Sequence, residues 1–308
     1  MSAIRIESLS KTYGHGFNRD ETNAVRNLSL EVKQGEVFGF LGPNGAGKTT
    51  TIHLLLNVIR PTTGAAFLFD QPVTDTGVHR RIGYLPESVN LHAYYRGRQL
   101  LEFYAALCDV PSKTRATRVA DLLRLLNLED AAGKVVSKYS KGMAQRLGFA
   151  QAMIHDPDLL ILDEPTASLD PVGRKEFRDI LIELKRRGKT IFISSHILSE
   201  VESVYDRVAI LQRGELKRVG TLQELSSARA ARFIVKNLRG DVVEALSSVP
   251  VQINLFQGQA TIICPDDALR KTVEDLLRQH NCEIVRVETE TESLEEIFFS
   301  TIEAPPKL

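Results

Sequence analysis

Tryptophan is absent from the 308 residues, aromatics make up only 6%, and cysteine occurs three times, at Cys108, Cys264 and Cys282. Three scattered thiols build no disulfide framework and show no metal-ligand spacing; they suit a reducing compartment. Net charge is missing as well, since 39 Lys and Arg offset 39 Asp and Glu. A balanced chain carries no electrostatic footprint for nucleic acid or for an anionic membrane surface. No stretch approaches the roughly 20 uncharged apolar residues that span a bilayer. Met1–Ser10 has no basic start leading into an apolar run, so no secretion signal is expected there. These absences point to a protein that is cytosolic or peripheral to a membrane, with no nucleic-acid partner. What remains is ordinary for a globular chain, 43% hydrophobic and 25% charged, with a length that suits about two domains.

One stretch is far from ordinary. Phe40-Leu-Gly-Pro-Asn-Gly-Ala-Gly-Lys-Thr-Thr50 contains Gly42, Gly45, Gly47, Lys48 and Thr49 in the pattern G-x-x-x-x-G-K-[ST]. Glycines allow turns that a Cβ would block, so several N–H groups can converge on one anion. The context agrees with the pattern. Glu36–Leu41 is short and mostly apolar, as a buried strand should be, and Thr49–Ile59 reads as a helix whose N-terminus faces the phosphates.

Upstream, Ala3–Leu9 and Ala24–Lys33 alternate like half-exposed strands, separated by a polar loop over Gly14–Asn23. Tyr13 stands before that loop, placed either to stack on a base or simply to pack. Downstream, Ala65–Phe69 and Arg81–Glu87 read as a strand and a strand running into an acidic loop. From Leu91 to Ala132 helix formers take over, with apolar spacing of three and four over Arg98–Leu107 and Ala116–Leu128. Ser140 stands at the N-cap of a helix over Lys141–His155. Leu159-Leu-Ile-Leu-Asp-Glu164 is a continuous apolar run ending in two carboxylates, the mark of a central parallel strand. Thr190–His196 is another such strand, and it ends in histidine. Ligands gather at the carboxyl ends of strands in these sheets, so Asp163, Glu164 and His196 should share an edge with the glycine loop. A helix over Pro171–Arg187 and a hairpin around Arg213-Gly214 complete the region. Beyond about Thr221–Ala231 the order is strand, helix, strand, strand, helix, strand, a split βαβ arrangement with a last helix over Ser293–Ile302.

With these motifs in one fixed order, the chain resembles the ATPase subunits of ABC transporters, most of all those of bacterial exporters with a small C-terminal domain. The resemblance covers Ile4 to Thr221, with a weaker one over the tail. It implies an α/β P-loop NTPase core over residues 1–225, a mostly parallel sheet with added antiparallel strands. A helical subdomain is inserted at about 88–157, and residues 226–308 form an α+β accessory domain of βαββαβ order.

The resemblance implies ATP and Mg²⁺ as ligands. Tyr13 would stack on adenine, and Asn44, Gly45, Ala46, Gly47, Lys48, Thr49 and Thr50 would hold the phosphates. Thr49, Glu87 and Asp163 would contact Mg²⁺. Glu164 would polarise the attacking water, with His196 near the γ-phosphate. Ser140, Gly142 and the Ser168–Asp170 loop would face a second subunit, so that two copies enclose two nucleotides. The implied partners are that second ATPase subunit, in the first instance an identical one, and integral membrane subunits at the cytoplasmic face of the cell membrane. Cargo would touch those membrane subunits rather than this chain. A soluble ABC ATPase outside transport is the alternative; its DNA-joining and ribosome-associated members carry coiled coils, cysteine clusters or repeated modules that are not seen here. In the helical insertion Tyr94 and Tyr95 are expected to meet a membrane subunit, with at least one of them a buried core aromatic. Two residues depart from the family pattern. Tyr139-Ser-Lys-Gly-Met143 replaces Leu-Ser-Gly-Gly-Gln and brings in Lys141, which either approaches the partner's γ-phosphate or stays solvated. Glu87 replaces a glutamine and either contacts Mg²⁺ or pairs with a neighbouring base.

Overall fold

The structure is a computed structural model that describes residues 1–14, 21–196, 202–225, 228–236, 238–246, 249–256, 259–264, 267–291 and 293–303. Most of the loop expected over Gly14–Asn23 lies outside the described residues. The chain divides into two compact units, Met1–Thr221 and Leu222–Lys307.

In the first unit the strands are β1 (Ser2–Tyr13), β2 (Thr22–Lys33), β3 (Val37–Leu41), β4 (Thr63–Leu68), β5 (Gln71–Pro72), β6 (Ile82–Leu85), β7 (Leu159–Asp163), β8 (Thr190–Ser195), β9 (Arg207–Gln212) and β10 (Glu215–Gly220). The helices are α1 (Lys48–Leu55), α2 (Gly97–Leu107), α3 (Ser112–Leu125), α4 (Lys141–Met153) and α5 (Pro171–Arg186). Six strands form one sheet in the order β10-β9-β3-β8-β7-β6, parallel except for the β9–β10 hairpin. Its interior strands β3, β7 and β8 are buried at every residue, which is why they read as unbroken apolar runs rather than alternating ones. A second, antiparallel sheet has the order β2-β1-β4-β5. The core draws on both: Ile4, Leu28 and Leu68 from the antiparallel sheet join Phe38, Phe40, Ile161 and Phe192 from the parallel one. The helical insertion appears as α2 and α3, packed on α4.

The second unit contains α6 (Leu222–Leu225), β11 (Ala228–Lys236), α7 (Gly240–Leu246), β12 (Gln252–Phe256), β13 (Gln259–Cys264), α8 (Asp267–Gln279), β14 (Glu283–Thr291) and α9 (Leu294–Glu303). Its sheet has the order β12-β13-β11-β14, antiparallel throughout, so β11 and β12 flank β13 as a split βαβ requires. Phe233, Ile262, Val273 and Leu277 form its core.

Candidate functional site: a glycine loop at the carboxyl edge of the parallel sheet

β3 sits between β8 and β9, so the glycine loop leaves the sheet at the carboxyl end of an interior strand. Its glycines are required by space as well as by dihedral angle. A Cβ on Gly42 would stand 2.7 Å from the Leu211 carbonyl oxygen. Gly47 has φ +102°, and a Cβ there would come within 2.2 Å of the Ala24 carbonyl oxygen. Gly45 is also left-handed, at φ +78°, with open space around it. α1 begins at Lys48, directly after this turn, so its free N–H groups and the positive end of its dipole face the loop. The helix is shorter than the sequence suggests: Asn57 turns left-handed at φ +54°, ending it before Val58 and Ile59.

Lys48 is only 6% exposed, yet its cation is well partnered. Nζ donates to the Gly42 carbonyl at 2.7 Å and lies 3.1 Å from Glu164 Oε1. Glu164 is itself 7% exposed and takes a left-handed φ of +48° one residue beyond β7. Its other oxygen, Oε2, accepts from the His196 backbone N–H at 3.2 Å and lies 2.7 Å from His196 Nδ1. A buried carboxylate needs compensation, and here Lys48 at the start of α1 and His196 at the end of β8 supply it. Ser194 adds a clamp: its hydroxyl donates to Asp163 Oδ1 at 2.5 Å, and its Oγ accepts from the Glu164 N–H at 3.1 Å. Two tyrosines stand close enough to feel these carboxylates. Burial, helped by the charge of Asp163, pushes the Tyr84 hydroxyl up to about 12. Burial and then the charge of Glu164 raise the Tyr205 hydroxyl well above its ordinary range, and it has no hydrogen-bond partner among the described residues.

A cavity of about 830 Å³ opens over this edge. Asn44 to Thr50, Tyr13, Glu87, Glu164 and His196 all line it. Asp163 lies beneath, 1% exposed. Ser140, Gly142 and Asp170 are not part of the lining. Ser140 caps α4 by accepting from the Met143 N–H at 3.2 Å, and Asp170 caps α5 by accepting from the Gly173 N–H at 2.9 Å. A Cβ built on Gly142 would stand 3.7 Å from Leu169 Cδ2, so the stretch at Ser140 and the loop before α5 lie side by side. Tyr94 is 95% exposed and Tyr95 41%, which corrects the expectation that one of them is a core aromatic. The helical insertion fills its interior with Leu100, Leu101, Leu122 and Leu123 instead.

Residues 25–167 match the ABC transporter family. Over 305 residues the chain is 35% identical to an uncharacterised ABC transporter ATP-binding protein, YxlF, of Bacillus subtilis, covering 98% of this chain and all of that one. The chain belongs to the ABC transporter ATP-binding proteins. It is also 40% identical, over 77% of each chain, to the fluoroquinolones export ATP-binding protein Rv2688c of Mycobacterium tuberculosis. A solved ATP-binding subunit of an ABC transporter, 29% identical, superposes with a TM-score of 0.65 over 72% of this chain and 91% of that one. As an ABC ATPase, the chain binds and hydrolyses ATP. The match to YxlF runs through the second unit, so that unit is shared with a relative rather than private to this chain.

Two cavity residues, Arg26 and Arg213, escape a motif-based reading. The first sits on a strand read only for its alternation, and the second in a turn read only as a turn.

Proposed function

We propose that this chain is one of two ATPase subunits that close around ATP and Mg²⁺ and so drive a conformational change in separate membrane subunits of an exporter. The observation that carries the reading is the convergence of Lys48, Glu164 and His196 on the cavity that also holds the glycine loop and Tyr13. Tyr13, 42% exposed, offers a face to adenine at one end; Glu164 and His196 mark the γ-phosphate end.

The residues present fit Mg²⁺ by chemistry. Thr49, Asp163 and Glu87 offer hard oxygens around the cavity. Among the described residues no three His, Cys, Asp or Glu side chains form a cage of their own, so phosphate oxygens would complete the shell. When bound, the ion supplies positive charge to the β- and γ-phosphates. The chain's own groups do the rest. Loop N–H groups and Lys48 bind the phosphates, with each charge-assisted hydrogen bond contributing about 1.5–3 kcal/mol. Glu164 orients the attacking water, a role in which positioning matters more than basicity. Asp163 is held in one orientation by Ser194.

A second subunit is needed because Ser140 and Gly142 stand outside the cavity of their own chain. In the paired arrangement they approach the partner's nucleotide across the ends of α4, with Lys141 adding a cation. Removal of the γ-phosphate weakens the closed state, a population shift set by differential affinity. Tyr94, Tyr95 and Phe103 are exposed on the helical insertion, and the rings of Tyr95 and Phe103 stack at 6.0 Å, a surface suited to a membrane subunit. Among the described residues no helix is long and apolar enough to cross a membrane itself. As the partner of such membrane subunits, the chain would sit peripherally on the cytoplasmic face. Similarity to a named export protein supports the outward direction. The second unit, in which no catalytic constellation is read, is taken as an interaction or dimer-stabilising module.

Glu164→Gln tests the reading. Phosphate release should fall by about 10²–10⁴-fold, the usual scale for losing a positioned acid or base. Light scattering should show a dimer that forms with ATP and Mg²⁺ and persists. A variant that remains a single subunit at saturating ATP overturns the paired mechanism.

A further inference from the structure

We propose that Arg213, in the turn between β9 and β10, is a nucleotide-binding residue that contacts the part shared by ATP and ADP. The inference rests on the nucleotide site proposed above. Gln212 pairs with Glu215, so Arg213 and Gly214 alone form the turn. Both have positive φ, +50° and +81°, which makes it a type I′ turn. The first position of such a turn favours Asn, Asp or Gly, because a bulky side chain is strained there. Arginine is thus a poor choice for the turn, and an observed backbone outlier beside a ligand cavity directs attention to function.

The turn is fixed against the phosphate loop with almost no slack. The Gly214 N–H donates to the Ala46 carbonyl at 3.0 Å, and the Arg26 N–H donates to the Gly214 carbonyl at 2.8 Å. A Cβ on Gly214 would meet the Ala24 carbonyl oxygen at 2.8 Å. The same carbonyl excludes a Cβ on Gly47. Whatever Arg213 reaches is therefore set by the position of the loop itself. Arg213 lines the cavity, and its guanidinium has no ion-pair or hydrogen-bond partner among the described residues. The other cavity cations differ: Lys48 lies against Glu164, and Arg26 faces Glu215 at 3.7 Å.

The attachment also indicates which end of the nucleotide is read. β2 carries Ala24 beside the turn and, two residues earlier, Thr22 paired with Tyr13. Arg213 therefore belongs to the Tyr13 side of the cavity, whereas Glu164 and His196 mark the other side. A guanidinium suits a phosphate or ribose oxygen through its fork of donors.

Calorimetric titration separates the outcomes, using Mg-ADP on the parent protein and Mg-ATP on the Glu164→Gln background. Arg213→Asn suits the turn better than arginine, so its melting temperature without nucleotide should stay equal or rise. Its affinity for ADP and for ATP should fall by the same factor, about tenfold, which is about 1.4 kcal/mol. Arg213→Lys should fall less. Equal affinities within twofold in Arg213→Asn overturn the assignment, and so does a loss confined to ATP, which would place the contact at the γ-phosphate. If the parent protein binds neither nucleotide, the proposed site falls and this contact with it.

Discussion

Between Met1 and Thr221 the interior holds Lys48, Asp163, Glu164, Ser194 and Ser195 among its buried side chains; in the second unit every buried side chain among the described residues is apolar. Both units are sheets covered by helices, so architecture alone does not explain the contrast. The parallel sheet ends several strands at one edge, and Lys48, Asp163 and Glu164 collect there, each satisfied by a group from a different element, while the remaining buried charge, Glu36, pairs with Arg207 at the other end of β3. The antiparallel sheet of the second unit closes on Phe233, Ile262 and Leu277, and among the described residues no buried charge stands in it. Burying polar groups costs free energy unless they are partnered, so the partnered cluster of Lys48, Asp163 and Glu164 at that edge marks a site.

The contrast can be broken from either side. The largest effect should come from Phe233→Ala, at a fully buried ring in the second unit. Emptying that position should cost about 3–5 kcal/mol in denaturant unfolding of the second unit, while nucleotide affinity, built from residues of the first, stays the same. A loss of affinity would show that the second unit contributes to nucleotide binding. Next comes Lys48→Ala. ATP affinity should drop by about 10- to 100-fold, the scale of one charge-assisted contact. The nucleotide-free protein should also melt lower, because Glu164 loses its buried cation. A variant with weaker binding but unchanged melting would mean that the ion pair is not part of the resting protein's stability.

The smallest effect is a titration. His155 is half-buried against β6, with its Nε2 3.0 Å from the Ile82 carbonyl oxygen and its Nδ1 without a partner among the described residues. Burial, followed by nearby cations, lowers its pKa below the ordinary 6.5. The unfolded chain therefore takes up a proton near pH 6.5 that the folded chain resists, and stability should fall as the pH drops below that value. Melting curves at pH 7.5 and 5.5 should differ less in His155→Gln than in the parent. Equal differences would assign the acid sensitivity elsewhere.

The glycine loop and the two carboxylates were legible because their chemistry demands fixed residue types at fixed spacing. β1 was legible only in part. Its alternation was followed from Ala3 to Leu9, yet the strand reaches Tyr13, since Ser8 turns left-handed and the register shifts, moving later side chains out of phase. The contacts of Glu164 were not legible, because Lys48 and His196 lie 116 residues before it and 32 after it in the chain. Arg213 was missed for a related reason: a two-residue turn has a local meaning, and its neighbourhood with the loop is set by strand order. Tyr94 and Tyr95 were misjudged because aromatic character suggests burial, whereas the leucines of α2 and α3 already fill the space.

The meeting of Ala24, Gly47 and Gly214 has a consequence for biosynthesis. Three segments spread over some two thirds of the chain converge where no Cβ fits at either glycine. A nascent polypeptide emerges from its N-terminus, so the glycine loop is outside the ribosome long before the β9–β10 hairpin that braces it. Until residue 214 arrives, the emerging chain holds every letter of the nucleotide motif without its rear support.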